Sequence, residues 1–310
     1  MKRVMCVVGV LLIGATPAVA TEHPRPMGQY ALGIVEQLTT EPRVQGTAGE
    51  RRAGAKIRSW FDNYGLDTRV QKFGYTRKGV RYTSRNIIAT LPGTTSRRVI
   101  IGAHYDNRPE GAGADDNASG VSVMLEVAKR VAKRGPLPYT LTFVAFGAEE
   151  NPGGLVGSNR FVKRMSKAQI RRTQVMINYD SLIVGDHLYV HAGANRRTGP
   201  RDAMLGVAAK HLLPLEMQPG WNPAYPAGIT PNGFSDYTAF NKAGIPIVAF
   251  EATNWEIGEF DGYTQTEEHG SYWHTPSDTL PTILDAYPQR PGAHLYVFTK
   301  GTVEYLDALR

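Results

Sequence analysis

Cysteine is nearly absent from this chain: its 310 residues hold one, Cys6, inside an apolar run at the start. A disulfide scaffold is therefore excluded, and a large core must hold the protein together. Long apolar runs are missing as well; the stretch Val4–Gly14 is too short to span a bilayer. There are no internal repeats, no low-complexity tract and no linker long enough to separate domains. Clustered positive charge is also lacking. The formal charge is +7, yet the basic pairs (Arg51-Arg52, Arg97-Arg98, Arg171-Arg172, Arg196-Arg197) are scattered. A nucleic-acid footprint gathers such residues with aromatics between them, so no nucleic-acid partner is expected. Finally, Ala243 to Gln289 contains no lysine or arginine at all.

What is present at the start reads as an export signal. Lys2 and Arg3 precede the apolar run, and Ala18-Val19-Ala20 forms an A-x-A cleavage site. Residues 1–20 are expected to be a signal peptide and 21–310 a single exported domain, periplasmic or extracellular, with no stable membrane insertion. Removing Lys2 and Arg3 takes the charge from +7 to +5, mildly basic.

Hydrophobic periodicity alternates between helix and strand. Helices are expected at Gly28–Thr39, Gly49–Tyr64, Ser119–Arg134 (with a serine at its start), near Ser158–Met165, at Ser235–Lys242 and at Ala293–Ala308. Strands are expected at Asp67–Phe73, Arg85–Leu91, Arg98–Ala103, Thr140–Phe146, Gln174–Tyr179 and Ile245–Phe250. Such alternation predicts an α/β fold, a mixed and mostly parallel central sheet with helices on both faces.

Three stretches carrying acids or histidine follow predicted core strands. VIIGAHYD places His104 and Asp106, TFVAFGAEE places Glu149 and Glu150, and VMINYD places Asp180. The carboxyl ends of strands form the ligand crevice of doubly wound sheets. GADDNASG (113–120) is an acidic loop running into a helix, and SYWHTPSDT carries His274 in a loop. Singly, each is weak: a histidine after a strand is usually structural, DD before a helix usually caps it, and a lone EE is usually surface. Together, in this order, they make a mixed N/O donor set that suits zinc, with cobalt or manganese permitted by ligand type. One zinc needs three protein ligands; the surplus fits two metals sharing a carboxylate.

These motifs (AHYD, GADDNASG, FGAEENPGGLVGS, NYD, HTPSDT, and RVQGTAGERRAGAKIRSWFDNYG near the start) resemble those of the secreted two-zinc aminopeptidases of clan MH, over roughly residues 40–285. The resemblance implies two Zn2+ per chain and peptide or protein N-termini as substrate. It implies His104 and Asp180 on one zinc, Glu150 and His274 on the other, and Asp116 bridging them. Glu149 matches the general base, and the Asp106 carboxylate would fix the ring of His104. Asp278 would either give similar support or cap a turn, the cap being the preferred reading. Ser235-Asp236-Tyr237 departs from the commoner S-D-H, and Trp273 precedes the last histidine; both departures would shape the substrate pocket.

The adjacent acids Glu149 and Glu150 then have separate jobs. A dication offsets the desolvation of Glu150, while Glu149 takes a proton from water and passes it to the departing amine. The stretch without basic residues holds Glu251, Glu256, Glu259, Asp261, Glu267, Glu268, Asp278 and Asp285. Some of these are expected to line the pocket and favour N-terminal Arg or Lys. Alternatives on the same fold are a single-zinc, glutaminyl cyclase-like acyltransferase, or a carboxypeptidase or deacylase.

Overall fold

Side chains alternating between two faces along the strands, and helical spacing between them, generate a sheet covered on two faces. The computed structural model describes residues 26–309; the expected signal peptide at 1–20, with Cys6, lies outside the described residues. In β3 (Arg98–His104), Val99 and Ile101 enter one apolar core and Ile100 the other. The same alternation divides Leu141, Phe143 and Ala145 from Val144 and Phe146 in β4 (Thr140–Phe146). It divides Val175 and Ile177 from Met176 in β5 (Thr173–Tyr179). Strands buried on both faces read as near-continuous apolar runs, which is why the sequence exposes them.

The remaining strands are β1 (Asp67–Arg77), β2 (Val80–Leu91), β6 (His187–Gly193), β7 (Ile229–Thr230) and β8 (Ile247–Thr253). The sheet order is β1-β2-β4-β3-β5-β8-β6-β7. The four central strands β4, β3, β5 and β8 are parallel, whereas β1, β2 and β6 join antiparallel. The helices are α1 (Gln29–Leu38), α2 (Ala48–Asn63), α3 (Gly120–Ala132), α4 (Val156–Lys163), α5 (Lys167–Arg172), α6 (Gly199–Lys210), α7 (Tyr237–Lys242), α8 (Leu280–Ala286) and α9 (Arg290–Ala308). The larger core packs α1, α2, α3 and α9 on one face. The smaller packs α4 and α7 on the other, around Phe146, Phe161 and Phe240. No helix among the described residues is long and apolar enough to cross a membrane.

Three differences from the sequence reading are instructive. The first two strands continue past their expected ends into a hairpin whose turn, Lys78-Gly79, has φ of 46° and 78°. A two-residue primed turn needs that left-handed backbone, but a lysine in the first position hides the signal. The strand β6 and the helices α5, α6 and α8 were not expected. Ser119 does not cap α3: its hydroxyl donates to the Asp115 carbonyl at 2.5 Å and accepts from the Leu182 amide at 3.0 Å. It ties the acidic loop to the chain after β5.

Candidate metal centre and active-site cavity

Because β3, β4 and β5 are parallel, their carboxyl ends open at one edge of the sheet. His104 ends β3, in register with Phe146 at the end of β4, and Asp180 follows Tyr179 at the end of β5. Glu149 and Glu150 come just beyond β4. The acidic loop 113–119 crosses above this edge, and a backbone kink at Asp116 and Asn117 splits its two acids. Asp115 turns away: it accepts from the Ile183 amide at 2.7 Å and the Gln265 side chain at 2.6 Å. Asp116 faces both histidines. The kink requires glycine at 120, where a Cβ would lie 2.3 Å from the Asn117 side-chain oxygen and 2.8 Å from the Tyr179 carbonyl.

His104 Nε2 lies 3.2 Å from Asp116 Oδ1 and 3.2 Å from Asp180 Oδ1. His274 Nε2 lies 3.1 Å from Asp116 Oδ2 and 3.3 Å from Glu150 Oε1. Two triads of donor atoms, His104/Asp116/Asp180 and Asp116/Glu150/His274, each fit round one metal ion and share Asp116. The spacings match the ~3.3 Å edge of a tetrahedron built on zinc bonds of about 2.05 Å. The donor chemistry agrees. The Nδ1–H of His104 donates to the Asp106 carbonyl at 3.1 Å, so Nε2 presents a lone pair to two carboxylates unless the ring is cationic.

Two expectations are corrected here. The group orienting His104 is the main-chain carbonyl of Asp106, not its carboxylate, whose nearer oxygen is 4.0 Å from Nδ1. The chain after β3 turns that side chain toward β4, where its two oxygens accept from the amides of Glu149 (3.2 Å) and Glu150 (3.1 Å). Asp278 is not a turn cap. Its carboxylate accepts from the amides of Asp115 (2.7 Å) and Asp116 (3.1 Å), bracing the loop that presents Asp116.

Burial and facing charges set the titration of this edge. Burial pushes Asp106 and Asp115 up to about 7 and raises Glu149 and Asp180. Burial opposes the charge on His104 and His274, but facing acids prevail. Asp180, Glu149 and Asp116 raise His104 well above the usual range, and Asp116 and Glu150 bring His274 to about 10. Asp116 alone is held below the carboxylate range: burial works against it, and hydrogen bonds from both histidines outweigh burial.

For the metal-free protein the groups raised above their ordinary values share one sign, opposed below its ordinary 6.5 by His294, which burial lowers to about 3. The acids near 7 have folded values above their ordinary 3.8, so the stability they contribute is full below about pH 4 and is lost as pH rises through about 7. His274 contributes below its ordinary 6.5 and loses that contribution toward pH 10. Chelator-treated protein is therefore expected to lose roughly 5 °C in Tm between pH 5 and pH 8, and added zinc to restore it at pH 8. Thermal melts measure this; a flat or rising profile in chelator contradicts it.

A cavity of about 350 Å³ opens over the donor atoms. Glu149 lines it, half-buried, and its carboxylate takes no hydrogen bond from the described residues. Tyr237 and Trp273, the two departures from the family pattern, both line it. The Tyr237 hydroxyl is tied to the Pro231 carbonyl (2.7 Å) and the Thr230 hydroxyl (2.6 Å), and the Trp273 ring lies 5.7 Å from that of Tyr263. Of the acids between 243 and 289, Glu251 and Asp261 line the cavity, while Glu267 and Glu268 are exposed elsewhere. Glu251 Oε1 accepts from Trp255 Nε1 at 2.6 Å and lies 2.9 Å from His191 Nε2.

Two arginines escaped the sequence reading. The wholly buried Arg43 donates to the carbonyls of Tyr105 (2.8 Å), Ala112 (2.7 Å) and Gly113 (2.8 Å), clamping the chain between the end of β3 and the start of the acidic loop. Burial lowers it to about 10 against the pull of Asp278, Asp106 and Asp116. Arg108 Nε donates to Glu150 Oε2 at 2.8 Å. Arg43 opens the motif RVQGTAGERRAGAKIRSWFDNYG without any local sign of its clamp, and nothing local marks Arg108.

Comparison with known proteins places this arrangement. The profile described as peptidase family M28 matches residues 86–297. The alkaline phosphatase isozyme conversion protein of Escherichia coli is 33% identical over 290 residues, covering 83% of this chain and 82% of that one. An aminopeptidase of Bacillus subtilis is 33% identical over 217 residues, but the match spans only 43% of its length. The fold matches a zinc aminopeptidase from Bacillus subtilis (TM-score 0.71, 21% identity, 89% of this chain and 95% of that one). It matches Porphyromonas gingivalis glutaminyl cyclase equally well (0.72, 23%, 91% and 98%). The match of most of the chain to the family profile, and of four fifths of it to a curated relative, makes this protein a member of peptidase family M28.

Proposed function

We propose that the chain is a two-zinc aminopeptidase that removes N-terminal residues from peptides or proteins. One observation carries the reading: two imidazole nitrogens each face two carboxylate oxygens at 3.1–3.3 Å, with Asp116 common to both. His104 and Asp180 would hold one ion, Glu150 and His274 the other, and Asp116 both. Bound zinc lowers the pKa of water and polarises a peptide carbonyl.

The chain's own residues supply the rest. Glu149, whose carboxylate takes no hydrogen bond from the described residues, takes the proton from the attacking water and delivers it to the departing amine. The Asp106 carboxylate fixes the backbone of Glu149 and Glu150, so that the first projects into the cavity and the second toward His274. Asp278 and Arg43 hold the loop that carries Asp116. The basic start, apolar run and A-x-A site support export, which belongs to the same reading.

The deciding experiment is metal analysis paired with hydrolysis of aminoacyl amides. Two zinc per chain, with activity lost on chelation and recovered with zinc, is the expected result. One zinc, with a cyclised product of lower mass from glutaminyl peptides, would favour the acyltransferase alternative.

Substrate preference follows from Glu251 and Asp261 on the cavity wall, in a stretch of chain without compensating cations. Arginyl and lysyl amides are expected to exceed leucyl amides by about tenfold in kcat/KM at low ionic strength, the gap narrowing with salt. Equal values for arginyl and leucyl p-nitroanilides at low salt would remove the preference.

A further inference from the structure

The donor pair divides the cavity into two unlike ends. Beside Asp180, whose amide donates to the Phe250 carbonyl at 3.1 Å, lie Phe250, Tyr237, His191, Glu251 and Trp255. The Phe250 ring packs away into the larger core on Tyr179 and Phe298, and this end presents Tyr237, Trp255, His191 and the Glu251 carboxylate, as suits the side chain of a first residue. Beside Glu150 lies Arg108, the single lysine or arginine among the residues lining the cavity. Its side chain is 32% exposed and also borders a small adjoining pocket.

Only Nε of Arg108 is engaged, on Glu150 Oε2; its terminal Nη groups make no hydrogen bond to the described residues. Glu150 does not consume the charge, because its other oxygen faces His274 and the ion that the triad fits. A guanidinium held at Nε, with its terminal groups at the wall of the cavity, is a receptor for a carboxylate.

We propose that Arg108 is a specificity-determining residue that reads the residue following the scissile bond and favours a carboxylate there. The carboxylate is either an acidic side chain in second position or the free terminus of a dipeptide. A second-position lysine is disfavoured by the same charge. The proposal rests on the aminopeptidase reading above, and it gives the cavity opposite polarity at its two ends.

The test keeps the first residue constant and varies the second: Arg-Asp-amide, Arg-Lys-amide, Arg-Leu-amide and Arg-Leu with a free carboxylate. Wild-type enzyme is expected to prefer Arg-Asp-amide over Arg-Lys-amide by about tenfold in kcat/KM, the scale of one charge-assisted hydrogen bond. In Arg108→Met that ratio falls to within about twofold; in Arg108→Lys, which keeps the charge but loses the fork, an intermediate ratio survives. The ratio is internal to each enzyme, so a general loss of metal or turnover cancels. Calorimetric binding of the same peptides to Glu149→Gln, with and without Arg108→Met, gives a readout independent of turnover and should show the same discrimination. Preference for Arg-Leu over its amide assigns the free terminus as well; preference for the Asp peptide alone assigns the side chain.

A wild-type ratio near one, or a ratio unchanged in Arg108→Met, overturns the proposal. Absence of hydrolysis of every aminoacyl substrate by zinc-loaded wild type instead overturns the underlying reading, and the binding ratios then stand on their own.

Discussion

Glu149→Gln is expected to lose at least ~100-fold in kcat while keeping its zinc, its fold and its melting temperature. The glutamine has nearly the same shape and forfeits no hydrogen bond of the carboxylate; the lost charge is one of several acids facing His104, with Asp180 and Asp116 remaining. The carboxylate takes no hydrogen bond from the described residues, and the backbone amide that Asp106 holds is untouched. What disappears is a base: burial and the neighbouring Glu150 and Asp180 raise the affinity of Glu149 for a proton, whereas an amide oxygen cannot take one at neutral pH. Steady-state kinetics on arginyl p-nitroanilide, with zinc measured on the same sample, decide the matter. Near-normal turnover in a zinc-replete variant would remove Glu149 from the chemistry.

A larger loss is expected at Asp116. Its Oδ1 faces His104 and its Oδ2 faces His274, so Asp116→Ala withdraws one donor from each triad. Zinc content should fall from two per chain to none at micromolar free metal, and kcat/KM by roughly 10³-fold, as several kcal/mol of electrostatic stabilisation vanish. Asp180→Asn and His274→Ala each touch a single triad and should lose one equivalent apiece. Mass-spectrometric metal counts on the three variants distinguish a shared acid from three independent ligands. Retention of one zinc in Asp116→Ala would mean that the two positions do not share it.

Much of this arrangement is legible because parallel strands are apolar on both faces. The runs Val99–Ile101, Leu141–Phe146 and Val175–Ile177 announce buried strands, and acids immediately after them have no place in a core. The five donor residues therefore stand out, and the structure brings all five together. What the sequence hides is the support behind them. Whether Asp106 uses its carbonyl or its carboxylate on His104 depends on the direction in which the chain leaves β3. Asp278 braces Asp115 and Asp116 across more than 160 positions of chain, a distance no local pattern spans. Arg43 looks like any surface arginine until the carbonyls of Tyr105, Ala112 and Gly113 close round it. The strand β6 keeps period two, with Leu188 and Val190 in the core and His187, Tyr189 and His191 on the other face, but that polar face makes a weaker signal than the doubly buried strands.

Asp106 belongs to both halves of the centre at once. Its carbonyl steers the imidazole of one triad, and each oxygen of its carboxylate anchors an amide in the turn leading to the other. Asparagine, with one acceptor where two are needed, would leave one of those amides unanswered, so the outwardly mild exchange is a severe one. A single residue thereby aligns both halves: the segment that steers His104 also fixes the turn that presents Glu149 and Glu150.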